Sequence, residues 1–334
     1  KRILSNWLDS KKTFRYINRV TFTHPDYPVR IDISIVKMSK NMSNSFTAIR
    51  TYNTAESEVF QSDETYEVEI EVDNTAIGEG TNTDNMETLI EKMRKCTKFI
   101  LMGIQETAFP VSVSDRNEIS KEYLRLIGYN SDDRLNSTFH FIGPSSQTLQ
   151  VGNIENNKSP NYNSIMTNIR DNYTVTDKAD GERRLFFINS TGLIYLINTN
   201  MKILFTGAKT NNKLYHNSLL DGEIISHDKH EKFINLFAGF DVYFVNGKDV
   251  RSHVFYRDIT SSGDDDDKHR NKSRHYILNN ILKDLNLISV VTDPHTQEPM
   301  ISPLRASIKQ FYSGTDTISI FVWCKKILDR IDSG

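Results

Sequence analysis

The sequence predicts an α+β fold in which two β-rich regions flank a helical connector. Three observations lead there. Residues 13–37 and 65–73 alternate apolar and polar side chains with the period of two that a strand requires. Residues 84–127 space their apolar side chains for helices. Residues 173–245 return to short apolar runs broken by turn residues. At 334 residues the chain is long enough for two domains. The divisions expected are 1–75, 76–140 and 141–334. A net charge of −2 removes any global basic signature, so nucleic-acid contact must come from a local patch. Cys96 and Cys324 lie far apart and form no metal-ligand pair, which suits a reducing compartment. No apolar run reaches the ~18 residues of a membrane span, and no signal peptide is present. The chain begins at Lys1 with no initiator Met and reads as a piece of something longer.

In residues 13–22, Arg15, Arg19 and Thr21 share one strand face. In residues 29–37, Val29, Ile31, Ile33 and Ile35 share one face, and Arg30, Asp32 and Ser34 share the other. A third strand is expected over residues 46–52, carrying Arg50. A fourth, over 65–73, puts Glu67, Glu69 and Glu71 on one face. Three carboxylates in line span ~13 Å at ~3.3 Å per residue. On an open surface they repel one another. Within a closed barrel they suit a divalent cation, and facing arginines suit a polyphosphate.

Thr83 or Asp84 caps an expected helix running to about residue 106, with Met86, Leu89, Ile90, Met93, Phe99, Ile100 and Ile104 on its apolar face. Pro110 breaks the pattern. Ser114 is expected to cap a second helix over 115–127. Residues 139–149 read as a loop with a Gly143, Pro144 turn at a domain entrance.

Lys178, Asp180, Gly181 and Arg183 then fall within six residues at a strand–turn–strand junction. A lysine becomes a covalent nucleophile when its pKa is lowered, and Arg183 and Arg184 are cationic neighbours that would do so. An ordinary polar β-turn would use the same residue types. Residues 185–198 form a hairpin around a turn at 190–192. Residues 218–225 repeat a strand–turn–strand pattern around Asp221, Gly222 and Glu223. Residues 237–247 carry Phe240, Asp241 and Tyr243. Beyond them, four aspartates within 261–268 read as a solvated loop, 269–287 as a helix, and 318–331 as strand-like turning helical.

Taken together, these motifs resemble known families. Lys178, Asp180, Gly181 and Arg183 resemble the K-x-D-G-x-R motif of the covalent nucleotidyltransferases, the mRNA-capping guanylyltransferases and ATP-dependent ligases. Residues 218–225 and 237–247 resemble that superfamily's third motif and the one following it. The E-x-E-x-E strand opposed by arginines resembles the triphosphate tunnel metalloenzymes. The combined order is similar to the fused capping enzymes of nucleocytoplasmic large DNA viruses.

The resemblance implies the later part of a triphosphate-tunnel antiparallel β-barrel, a helical connector, and a nucleotidyltransferase domain of antiparallel sheets with flanking helices. It implies that Lys178 forms a lysine–GMP adduct from GTP and passes GMP to a 5′-diphosphate RNA end. Asp180, Arg183, Glu223 (ribose hydroxyls), Phe240 or Tyr243 (base stacking) and Asp241 would hold GTP. Arg15, Arg19, Arg30 and Arg50 would hold the RNA triphosphate, and Glu67, Glu69 and Glu71 would hold Mg²⁺ or Mn²⁺. A first acidic strand would precede Lys1, and motifs IV to VI would follow residue 334, so this chain alone would not complete guanylylation. A viral methyltransferase subunit or domain is an expected partner, and a membrane is not. The expected setting is the viral factory of the host cytoplasm or the virion. An ATP-dependent ligase, or a degenerate module binding RNA ends or a partner, would share some of these motifs.

Overall fold

The computed structural model describes residues 6–41, 47–156, 165, 167–170, 172–257, 273–314 and 319–333. The chain divides into two compact units, Lys1–Ile104 and Gln105–Gly334. The helical stretch expected as a connector is shared between them, one long helix to each unit. Among the described residues no helix is long and apolar enough to cross a membrane.

The first unit holds a three-stranded antiparallel sheet, β1 (Arg15–His24), β2 (Tyr27–Met38) and β3 (Thr65–Val72), in the order β1-β2-β3. The alternation fixes its register. Arg19 faces Ser34, which faces Glu67; Thr21 faces Asp32, which faces Glu69; Thr23 faces Arg30, which faces Glu71. One face is therefore a lattice of opposite charges. On it, Asp32 is only 2% exposed, because Arg19 and Thr21 bond both of its oxygens. The other face carries the apolar side chains, and Val20, Ile33 and Val68 remain exposed there. The strand expected over 46–52 is not formed. Of it, residues 47–52 are described, and they make isolated bridges, Lys12 to Thr51 and Asn41 to Ala48. The described strands form an open sheet and not a closed barrel.

Helix α1 (Met86–Gln105) follows in the first unit, with Phe99 against Tyr27. In the second unit, α2 (Val113–Leu126) is capped by Ser112, whose hydroxyl accepts from the Asp115 N–H at 3.0 Å. The sequence points to Ser114 instead. Ser112 wins because its backbone is extended, as an N-cap requires, while Ser114 lies within the first turn. A short turn, α3 (Ser137–His140), leads to the Gly143, Pro144 segment.

The strands of this unit are β4 (Thr174–Val175), β5 (Glu182–Ile188), β6 (Leu193–Asn198), β7 (Ile203–Lys209), β8 (Ser218–His227), β9 (Phe233–Val245) and β10 (Lys248–Asp249). After helix α4 (Arg274–Asp284) come β11 (Ile288–Thr292), β12 (Pro299–Ile301), β13 (Arg305–Ile308) and β14 (Tyr312–Ser313), and the described chain closes with helix α5 (Ile320–Ser333). Nine strands form one sheet, in the order β10-β9-β8-β5-β6-β7-β11-β12, with β13 parallel on β9. Strands β5 and β6 read as nearly continuous apolar runs because both sheet faces are covered. Ile119, Tyr123 and Leu124 of α2 pack with Leu185, Phe187, Ile197 and Leu219 on one side. Leu278 and Ile281 of α4 pack with Phe186, Ile188, Leu220 and Phe237 on the other. The expected aspartate-rich loop at 261–268, and residues 269–272 of the expected helix, lie outside the described residues; so does Ile318, where the final strand-to-helix segment was expected to begin.

Candidate nucleotide site

The candidate site is built along one line across the large sheet. Lys178 stands on the irregular stretch between β4 and β5 and is exposed. No hydrogen bond or ion pair engages its amine among the described residues. Asp180 is exposed two residues on. Gly181 is required by close packing: a Cβ there would lie 2.8 Å from the Ile224 carbonyl and 3.2 Å from Cβ of Glu223. The glycine therefore lets the lysine-bearing segment press against β8.

Arg183 opens β5 directly opposite Glu223 of β8. Its guanidinium is fixed from three sides. Nε and Nη2 donate to the two oxygens of Asp221 at 3.1 and 2.5 Å, and Nη1 donates to the Pro144 carbonyl at 2.5 Å. The rings of Phe141 and Phe240 lie 5.2 and 5.7 Å from its carbon. A Cβ on Gly143 would collide with this pair, which is why the Gly-Pro segment can cover it. Asp221 is fully buried. Burial pushes its carboxyl up, and the bonds from Arg183 and Tyr243 pull against that. Three donors converge on this group, and they require the ionised form.

Glu223 sits next along the line. Its Oε2 is buried without a hydrogen-bond partner. The Lys309 amine is 3.6 Å away, close enough for an ion pair but too far for a hydrogen bond. Lys309 arrives from the far end of the chain. Strand β13 runs parallel to β9, and the Lys309 N–H continues that ladder to the Gly239 carbonyl at 2.8 Å. Its own carbonyl lies 3.1 Å from Nε2 of His275 on α4. Lys309 has no motif to mark it in the sequence. An exposed amine, a fixed guanidinium with unused N–H groups and a carboxylate with a free acceptor suit a ligand bearing both phosphate and hydroxyl groups.

Residues 161–291, from just before the Lys178 loop through β11, match the family described as "mRNA capping enzyme, catalytic domain". Over 238 residues, 71% of this chain, the sequence is 30% identical to a protein of Acanthamoeba polyphaga mimivirus described as "Probable mRNA-capping enzyme". The chain belongs to the mRNA-capping enzyme family. It spans a small part of that curated relative, the match taking in 16% of the mimivirus protein's length.

Within this capping-enzyme chain, the expected nucleotide residues separate into two groups. Lys178 and Asp180 lie on the segment before β5, and Arg183, Glu223 and Phe240 on the adjoining strands β5, β8 and β9, Phe240 keeping part of its surface exposed. Tyr243 and Asp241 are turned to structural work. Tyr243 is buried, and its hydroxyl donates to Asp221 at 2.5 Å. Burial, then the Asp221 charge, pushes that hydroxyl well above the ordinary tyrosine range. No open ring face is left on Tyr243 for a base, whereas Phe240 is half-buried. Asp241 is 7% exposed and bonded at two points by Arg274, at 2.8 and 3.0 Å. Arg183 and Arg184, expected as cationic neighbours of Lys178, each have an ion-pair partner. Arg183 is neutralised by Asp221 and Arg184 by Glu182.

In the first unit, Arg15, Arg19 and Arg30 share the charged sheet face with Glu67, Glu69 and Glu71. Arg15 pairs with Glu67, Arg19 with Glu69 at 2.7 Å and Arg30 with Glu71. Arg50 is exposed in an irregular segment, outside these strands. Each of the three glutamates expected to hold Mg²⁺ or Mn²⁺ thus meets an arginine. Among the described residues no group of three or more His, Cys, Asp or Glu is placed to hold a metal ion. Among the described residues these arginine-paired glutamates do not by themselves make a metal site.

Proposed function

We propose that this chain carries the GMP-transfer site of an mRNA-capping enzyme. The observation that carries the reading is the run Arg183, Glu223, Lys309 beside the Lys178 segment, with one buried oxygen of Glu223 lacking a hydrogen-bond partner among the described residues. A ribose hydroxyl donating to that oxygen would satisfy it. The remaining N–H groups of Arg183 would hold phosphate, and Phe240 would stack on the base. The neutral Lys178 amine would attack the α-phosphorus of GTP. A P–N bond forms, the bond to the β-phosphate oxygen breaks, pyrophosphate leaves and the nitrogen loses a proton to solvent. In the second step a terminal oxygen of a 5′-diphosphate RNA attacks the same phosphorus, the P–N bond breaks, and the lysine nitrogen takes up a proton. The identity of the transferred base rests on the family and not on a contact described above.

The first unit supports a second, linked assignment, removal of the RNA γ-phosphate. Its support is the face on which Arg15, Arg19 and Arg30 are held in register by Glu67, Glu69 and Glu71. Arginines fixed at strand spacing suit a polyphosphate. The setting proposed is that of a virus-encoded protein in the host cytoplasm or virion, with a methyltransferase as a downstream partner.

The test is label transfer. The full-length protein is incubated with α-labelled GTP or ATP and Mg²⁺, denatured, and assayed for label on Lys178. Label from GTP alone supports the reading. Label from ATP alone would make the site that of a ligase, and label from neither would favour a module that only binds.

A further inference from the structure

We propose that helix α5 and strand β14 form the surface along which the RNA acceptor lies as its 5′ end reaches Lys178, an inference that rests on the GMP-transfer reading above. Two contacts place this surface beside the nucleophile. Tyr312 of β14 pairs with Val175 of β4, three residues before Lys178. The Thr176 hydroxyl donates to the Gln310 carbonyl at 2.7 Å. Helix α5 packs on both strands of this small antiparallel pair and turns Ile320 and Ile327 inward.

Beside the exposed apolar side chains Val322, Leu328 and Ile331, α5 presents Lys326 and Arg330 outward next to the half-buried Trp323. Trp323, Lys326 and Arg330 recur at helical spacing and so share one face. Trp323 stacks on Tyr312 with ring centroids 4.7 Å apart and planes 18° apart. The Lys326 amine lies 4.3 Å above the Trp323 ring, and Nη1 of Arg330 is 3.4 Å from the Tyr312 hydroxyl. Arg170 adds a further guanidinium, 4.7 Å from the Phe321 ring. Lys325 and Asp329 are exposed on the neighbouring stripe.

Single-stranded nucleic acid is bound by this combination, with cations tracking the phosphates and aromatic rings beside the bases. The second step requires the acceptor's diphosphate to meet the lysine-bound nucleotide, so the nucleotides behind it must leave along a neighbouring surface. Continuity with the lysine segment and complementary charge therefore favour RNA over a protein as the occupant.

The experiment separates the two half-reactions in the full-length protein carrying Lys326→Glu and Arg330→Glu. Adduct formation from labelled GTP is measured first. Transfer of the label is then measured to a 5′-diphosphate dinucleotide and to a 5′-diphosphate RNA of about 16 nucleotides, at the upper end of single-strand site sizes. The expected result is wild-type adduct formation, wild-type use of the dinucleotide, and an increase on the order of tenfold in the half-saturating concentration of the longer RNA. The log–log salt dependence for that RNA should become shallower by about 1.4, two contacts at about 0.7 each. The conservative pair Lys326→Arg and Arg330→Lys should restore the preference for the longer acceptor.

Unchanged use of the longer RNA overturns the inference. So does a parallel loss of adduct formation, which would make α5 a structural support, or a changed oligomeric state with unchanged transfer, which would make the stripe a contact between copies. If the wild-type protein takes no label at all, the GMP-transfer reading itself fails, and the acceptor surface fails with it.

Discussion

Asp221 and Asp241 face each other across β8 and β9, both buried, and each is clamped by its own arginine. Two opposed carboxylates in a core repel. Arg183 offsets the first and Arg274 the second, so the two carboxylates are flanked by one guanidinium each. Arg183 is also five residues from Lys178 in sequence and opposite Glu223 on β8. Its position therefore depends on a charge pair buried beneath it.

Removing Arg274 should expose that dependence. Arg274→Ala leaves Asp241 buried and unpaired, which costs about 3–5 kcal/mol. Arg274→Lys should recover only part of this, because an ammonium cannot reproduce a two-point clamp. The denaturant midpoints of the two variants against wild type test it, and midpoints equal to that of wild type would mean that the clamp contributes nothing.

Lys178 is exposed and unpaired, so its removal should leave stability unchanged. In the full-length protein, Lys178→Ala should abolish adduct formation while phosphate release from 5′-triphosphate RNA continues. Loss of both activities together would contradict two separate sites.

Glu69→Ala and Glu71→Ala should act in the reverse sense. Each frees an arginine of the charged face, Arg19 or Arg30, and should lower phosphate release while Lys178 is still labelled from GTP. Both pairs are largely exposed, so the change in stability should stay below about 1 kcal/mol. Undiminished phosphate release in both variants would move that activity elsewhere.

His275 gives a pH signature. Burial holds its pKa below the ordinary imidazole range, against the pull of the Lys309 carbonyl and Asp241. In this state the unfolded chain binds the proton more readily than the folded one. The stability this group contributes is present above about pH 6.5, the unfolded value, and is lost as pH falls through the lower folded value. His275→Gln should flatten the melting temperature between about pH 5 and 7 relative to wild type. An unaltered slope would exclude His275 as its source.

Much of the fold follows from local pattern. The alternation in 29–37 and 65–73, the helical spacing of 84–127 and the apolar runs of β5 and β6 each became the element their period implies. The motif around Lys178 and Glu223 was equally legible, because close strand packing forces Gly181 and Gly222 into the sequence beside the reactive residues. A Cβ at Gly222 would meet the Phe237 ring at 2.5 Å. Lys309 was not legible. It is an ordinary lysine in a polar stretch, and only the parallel pairing of β13 with β9 gives it a role. The clamp on Asp241 was hidden for the same reason, since Arg274 reaches it from α4. Tyr243 reads as a base-stacking candidate until its burial and its bond to Asp221 are seen.

The parallel strand that delivers Lys309 also does something for the sheet as a whole. It occupies the side of β9 from Leu236 to Gly239, which would otherwise offer a row of unpaired backbone groups to any other extended chain. Strand β13 is four residues long and carries the exposed Arg305 and Ser307, the short and charged build that discourages further strand addition. A protein cut before Arg305 would lose the cation beside Glu223 and at the same time acquire a self-associating edge. Strand β13 and the Lys309 that follows it thus cover this edge and bring a cation to Glu223 together.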